Sequence, residues 1–163
     1  LIDVGASDQY AKNADNMGID IGDIDFLFIS HGHNESTGGL AEFIKRNKKA
    51  KIFLSSYVEG KSFFVKKPKG NINIGMDYSI VEKNRNRFFL VHTNQLITKN
   101  LALIANIPNF NNIPKSNHDL YVSDKNGVRL DDFKHEMALA VNTDKGIVLF
   151  SGCSHNGILN ILI

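Results

Sequence analysis

The stretch ISHGHNESTGGL, residues 29–40, sets two histidines one residue apart. A carboxylate, Glu35, follows two positions later, and paired glycines close the segment. Side chains two apart on extended backbone point to one side, so the imidazoles of His31 and His33 can share one cation. Neutral imidazole suits zinc, and also iron or manganese. A second histidine turn, FSGCSHNG at 150–157, supplies His155 and the chain's single cysteine, Cys153. One His-x-His alone reads as a polar turn satisfied by backbone or solvent. Two histidine turns, each delivered by an apolar run, favour a metal centre or the descendant of one. There is no phosphate-cradling Gly-rich loop, no Ser–His–Asp order and no His-Glu-x-x-His pair.

The elements that must aim these side chains alternate along the chain. LIDVG is a short strand ending in a glycine turn. Asp8 to Met17 reads as a helix, with Ser7 or Asp8 as N-cap and Gly18 closing it. IDFLFIS at 24–30 is a continuous apolar run of the kind a doubly covered strand produces. Gly39 to Asn47 has Leu40, Phe43 and Ile44 at helical spacing, and KIFLSS follows as a strand. Strand–helix–strand–helix–strand argues for an α/β sandwich. The middle, 60–125, reads as short antiparallel strands such as 87–92 and 101–105, and NIPNFNNIPKSN at 106–117 as a turn-rich loop. EMALAVNTDKGIVLFSG is two strands around a TDKG turn. Strand ends of this kind are where a rigid sheet aims chemistry.

Composition bounds the function. With 163 residues, 42% hydrophobic and 22% charged, the chain fits one globular domain, 1–163. A net charge of +2 leaves no basic stripe for nucleic acid or an anionic membrane. KRNKK at 45–49 and KKPK at 66–69 read as a solvated helix end and a loop, with an anionic-substrate funnel as the minor reading. One cysteine excludes an internal disulfide and fits a reducing, cytoplasmic setting. No run reaches the ~20 apolar residues of a membrane span, and no signal peptide is visible. The chain opens inside an apolar strand and stops in GILNILI without a cap, which reads as a domain lacking parts at both ends.

LIDVG, followed by NADNMGIDIGDIDFLFISHGHNESTGGL, resembles the first half of the metallo-β-lactamase superfamily. The pattern there is an apolar strand ending Asp-x-Gly, a helix, then a strand delivering His-x-His-x-Asp-His-x-Gly-Gly-Leu. The closing DDFKHEMALAVNTDKGIVLFSGCSHNGILNI is similar to the branch of dihydropterin–ribofuranosylaminobenzene phosphate synthases, with its Gly-Cys-Ser-His-x-Gly signature. LALIANIP sits where that branch has a strand ending Gly-x-Ile-Pro. The resemblance implies a four-layer αβ/βα sandwich with metal between the loop ends of its sheets.

Carried over, the resemblance makes His31 and His33 metal ligands and offers His155 as a third. Glu35 stands where the family has aspartate, and serves as general base or a distorted fourth ligand. Ser36 stands where the family has histidine, and a neutral hydroxyl is a poor zinc ligand. One ion rather than two is therefore expected, with a degenerate second site. The implied function is hydrolase-type, acting on a soluble, anionic or phosphorylated small molecule. The alternative is an inactive relative kept for binding. For Asp131, Asp132, His135 and Glu136 a structural role is the first reading and a ligand or supporting role the second. Cys153 reads as a packing residue before a soft ligand, and His92 and His118 as surface or loop residues. Asp3 is expected to brace the metal loops by hydrogen bonds, and Gly38 and Gly39 to permit the turn into the next helix.

Overall fold

The computed structural model describes residues 1–108, 110 and 113–162. The parts of the 106–117 loop at 109, 111 and 112, and the last residue of GILNILI, lie outside them. A helix, α1 (Gln9–Asn16), follows the first apolar segment, with Ser7 Oγ accepting from Gln9 N at 3.3 Å and Gly18 closing it at φ +68°. Strand β1 (Phe26–Phe28) leads through the histidine loop to two short helices, α2 (Asn34–Thr37) and α3 (Leu40–Arg46), and on to β2 (Lys51–Ser55). Next come β3 (Ser62–Lys67), β4 (Gly70–Asn73), α4 (Ser79–Lys83) and β5 (Phe88–Val91). The remaining strands are β6 (Gln95–Thr98), β7 (Leu101–Ile104), β8 (Leu120–Asp124), β9 (Gly127–Leu130), β10 (Ala138–Thr143) and β11 (Gly146–Ser151). Helix α5 (Ile158–Ile161) comes last.

Three sheets result. β1, β2 and β5 form a parallel sheet, extended by a bridge from Ile2 to Phe28. β11-β10-β7-β6 and β4-β3-β8-β9 are antiparallel. The parallel sheet is apolar on both faces because each is covered. Leu27, Ile29, Ile52 and Leu54 pack with Ala11, Leu40 and Phe43 of the helices, while Phe28, Phe53 and Val91 meet Leu103, Ala105 and Met137 of the antiparallel side. Across the far face of that second sheet, Ile161 of α5 packs on Ile104, Ala138 and Leu149. The order is helices, parallel sheet, antiparallel sheet and helix, the expected α/β sandwich. Away from α5 the outer face stays open, with Leu96 76% and Ile147 74% exposed.

Two expectations need correction. The segment at 87–92 is not an antiparallel strand; β5 runs parallel beside β2, with Ile52 opposite Phe88 and Ser55 opposite Val91. Its buried Phe88 and Val91 point to opposite sides and fill both cores, as a strand covered on both faces does, although it stands at the edge of its sheet. Gly38 and Gly39 have ordinary negative φ, −61° and −85°. What requires glycine is proximity: an added Cβ would lie 2.2 Å from Ala6 O and 2.3 Å from Val4 O respectively.

Candidate metal centre

The loop after β1 is pinned on all sides before its histidines are placed. Ser30 O accepts from Met137 N at 2.7 Å, Gly32 O from Met76 N at 3.0 Å, and Ile74 O from Asn34 N at 2.7 Å. His33 is extended (φ −84°, ψ 156°) and starts α2, so that Glu35 on the first turn folds back over the loop. Glu35 Oε1 lies 3.1 Å from His31 Nε2 and 3.4 Å from His33 Nδ1. From the second turn, after β11, His155 brings its ring to 5.1 Å from His31 and 5.0 Å from His33, centre to centre. The four residues expected from sequence, His31, His33, Glu35 and His155, are thus brought together.

Hydrogen bonds sort the ring nitrogens. Asn117 Nδ2 donates to His155 O at 2.7 Å, which turns Asn117 Oδ1 toward His155 Nδ1 at 3.0 Å. An amide oxygen only accepts, so Nδ1 carries the hydrogen and Nε2 keeps a lone pair. That Nε2 is buried and has no partner. At His31, Ser30 Oγ and Ser36 Oγ both donate to Asp3 Oδ2, at 2.7 and 3.0 Å. Their oxygens then accept from His31 Nδ1, 3.0 and 3.2 Å away, while His31 Nε2 is turned inward to Glu35 Oε1 at 3.1 Å. The inner nitrogens of His31 and His155 thus face one space, beside a carboxylate oxygen. The partnerless Nε2 of His155, converging with His31 Nε2 and that carboxylate oxygen, fits a cation.

Charge follows the same arrangement. Burial favours the protonated form of Glu35, but the imidazoles of His31 and His33 outweigh it and hold the carboxyl well below the usual range. Burial, then the surrounding histidines, push His155 down to about 3. Burial pushes His135 down to about 4, against the pull of Asp131. His33 is raised despite burial, because Asp131 and Glu35 face it. Cys153 donates to Glu35 Oε1 at 3.7 Å, and burial with that carboxylate pushes the thiol up to about 11.

The supports around this centre include residues the sequence raised only as second readings, and others, Asn117 and Phe133, that it did not single out. Asp3 takes Ser30 N, Ser30 Oγ and Ser36 Oγ, the expected bracing role, from a left-handed backbone at φ 52°. Glu136, fully buried, accepts from His155 N and Asn156 N at 2.7 Å each and so holds the second turn. Phe133, also left-handed at φ 51°, stacks on His155 with centroids 4.6 Å apart and planes 9° apart. Asp131 and His135 are buried beside His33. His31, Glu35, Cys153 and His155 have ligand atoms within 4.8 Å of one another, as do His33, Asp131 and His135. Asp132 stays at the periphery, where Lys134 N meets it. His92 bonds Ser56 Oγ and His118 pairs with Asp119, both away from the centre.

Known proteins share this fold. Residues 1–58 match the model of the metallo-β-lactamase superfamily. A solved metal-dependent hydrolase of the β-lactamase superfamily superposes with a TM-score of 0.80 over 99% of this chain, at 29% identity. The chain belongs to the metallo-β-lactamase superfamily. A second member of that fold, an N-acyl homoserine lactone hydrolase, aligns over 93% of the chain with a TM-score of 0.55 and 12% identity, a likeness of fold alone. Among curated proteins, the chain is 31% identical over 147 residues, 85% of its length, to a 7,8-dihydropterin-6-methyl-4-(β-D-ribofuranosyl)-aminobenzene-5'-phosphate synthase of Methanocaldococcus jannaschii. The chain spans about half the length of that relative, 49%, and 58% of the solved hydrolase. No described helix is long and apolar enough to cross a membrane.

Proposed function

We propose that this chain carries a single-ion metal centre held by His31, His33 and His155, with Glu35 as general base or fourth ligand. Its substrate is a soluble, phosphorylated or otherwise anionic small molecule of the cytoplasm. The observation that supports this most is the buried, partnerless Nε2 of His155, left free by the hydrogen bond on its Nδ1 and converging with His31 Nε2 and Glu35 Oε1. Zinc is the ion this donor set suits best, with iron and manganese next. The chemistry supplied by such an ion when bound is Lewis-acid activation of water and of a substrate oxygen.

The protein's own part is positional and acid–base. The two serines and Asp3 hold His31, and Asn117 holds His155, so neither ring has to reorient. Glu35, held ionised and half-exposed, accepts a proton from an attacking water at the solvent-facing side. The phosphorylated substrate class rests on the relative in Methanocaldococcus jannaschii, whose name specifies a 5'-phosphate.

Elemental analysis tests the reading. Metal-free protein reconstituted with zinc should hold about one ion per chain and hydrolyse a generic phosphodiester such as bis(p-nitrophenyl) phosphate. His31→Ala and His155→Ala should lose the ion, and no bound ion in the wild type would overturn the proposal. A binding role without turnover is favoured by Ser36, whose hydroxyl is turned back to Asp3 where the family pattern has a ligand. An ion at unit stoichiometry, with hydrolysis appearing only in the double variant Glu35→Asp, Ser36→His, would select that reading.

A further inference from the structure

His135 and Asp131 are 1% and 7% exposed, ionisable, and outside the set proposed to hold the ion. With His33 they form a trio whose ligand atoms lie within 4.8 Å, spacing that would suit a second cation. Their hydrogen bonds decide against it. Gly32 N–H donates to His135 Nδ1 at 3.0 Å, so that nitrogen carries the lone pair. A neutral imidazole has only one such lone pair. His135 Nε2 is then the N–H, and it donates to Asp131 Oδ2 at 3.0 Å. Nothing on His135 is left for a metal. The other carboxylate oxygen, Oδ1, takes Phe133 N at 2.9 Å, so Asp131 is gripped at both ends. Its Oδ2 stands 3.5 Å from His33 Nε2, a buried atom without a hydrogen bond. A carboxylate at that distance becomes the acceptor for an Nε2 hydrogen with a small movement of the ring.

We propose that His135 is a positioning residue: acting through Asp131, it keeps the hydrogen on His33 Nε2 and fixes the ring's orientation, so that Nδ1, facing Glu35 Oε1 at 3.4 Å, is the nitrogen that offers its lone pair to an ion. The relay runs from the Gly32 amide through His135 and Asp131 to His33, which lies one residue from where it began. It rests on the reading of His33 as a ligand, and it makes the second trio part of the scaffold for one ion rather than a second site. Carboxylate–histidine partners of this kind typically change metal affinity by about 10–100-fold when removed.

Two measurements on the same variants test it. In metal-free protein labelled with 15N-histidine, the ring nitrogen shifts of His33 should show hydrogen on Nε2. His135→Gln, which keeps one acceptor and one donor, should preserve that state. His135→Leu and Asp131→Asn should give a mixture of tautomers. Zinc titration against a chelator should give one ion per chain throughout, with affinity reduced about 10–100-fold in His135→Leu and Asp131→Asn and recovered in His135→Gln. Two ions in the wild type, falling to one in His135→Gln, would make His135 a ligand and overturn the proposal. So would unchanged tautomer and affinity in Asp131→Asn, which decides the matter if His135→Leu fails to fold. Should the wild type bind no zinc, the metal-centre reading fails, while the tautomer comparison still decides the positioning role.

Discussion

Glu35 contacts His31 and His33 while Asn117 contacts His155, and their roles separate by substitution. Glu35→Gln removes the proton acceptor but leaves three imidazoles, so zinc content should hold while phosphodiester hydrolysis drops about 10²–10⁴-fold. Asn117→Ala should instead leave catalytic groups intact and weaken zinc binding about 10-fold, since His155 Nδ1 loses the acceptor that fixes its tautomer. Chelator competition reads the second effect. The difference in legibility follows the same line. Histidine is scarce and chemically specific, so His31, His33 and His155 stand out in the sequence. Asn117 lies in an asparagine-rich stretch, where residue type carries no signal, and Asp131 in a pair of aspartates, where residue type does not say which of the two reaches the site. Only the fold shows that Asn117 reaches His155, 38 positions away, and Asp131 His33.

At the level of elements, the histidine loop depends on backbone approaching backbone. Gly38 begins the step from α2 to α3 against the carbonyl of Ala6, and Gly152 packs where a Cβ would meet Ser30 Oγ at 2.2 Å. Gly38→Ala should therefore force the N-terminal loop away and lower stability by roughly 3 kcal/mol, at the upper end for point substitutions, measured by urea unfolding. The sequence points to glycine at this turn without giving the reason, because a short residue required by φ and one required by contact look alike in one chain. The hairpin of β10 and β11 is legible because TDKG separates two apolar runs, and Gly146 takes φ +119° there. Strand β5 is not: its pairing with β2 spans the β3–β4 hairpin and α4, and apolar content alone does not set strand direction.

For the molecule as a whole, the buried histidines tie stability to acidity. In the folded, metal-free chain His135 and His155 titrate at about 4 and about 3, below the ordinary 6.5. Between those values the unfolded chain binds protons that the fold refuses. The stability these rings contribute is complete above pH 6.5 and is lost as pH falls toward 4. His33, shifted upward, acts in the opposite sense, one ring against two. Glu35 and Asp131, both held low, keep their contribution down to the ordinary carboxylate range and lose it as the pH falls through and below that range. The melting temperature of metal-free protein should fall by ~5 °C or more from pH 7 to pH 5, a loss of ~2 kcal/mol or more for a domain of this size. Zinc at saturating concentration should raise the whole curve.

The open strip on the antiparallel sheet bears on behaviour in bulk solution. Leu96 and Ile147 flank alanines at 102 and 140, a smooth patch without charge at its centre. Salts that are excluded from protein surfaces penalise such a patch most. This chain should therefore precipitate at unusually low ammonium sulfate and be retained on a phenyl column. Ile147→Lys should shift both properties together while leaving zinc binding untouched.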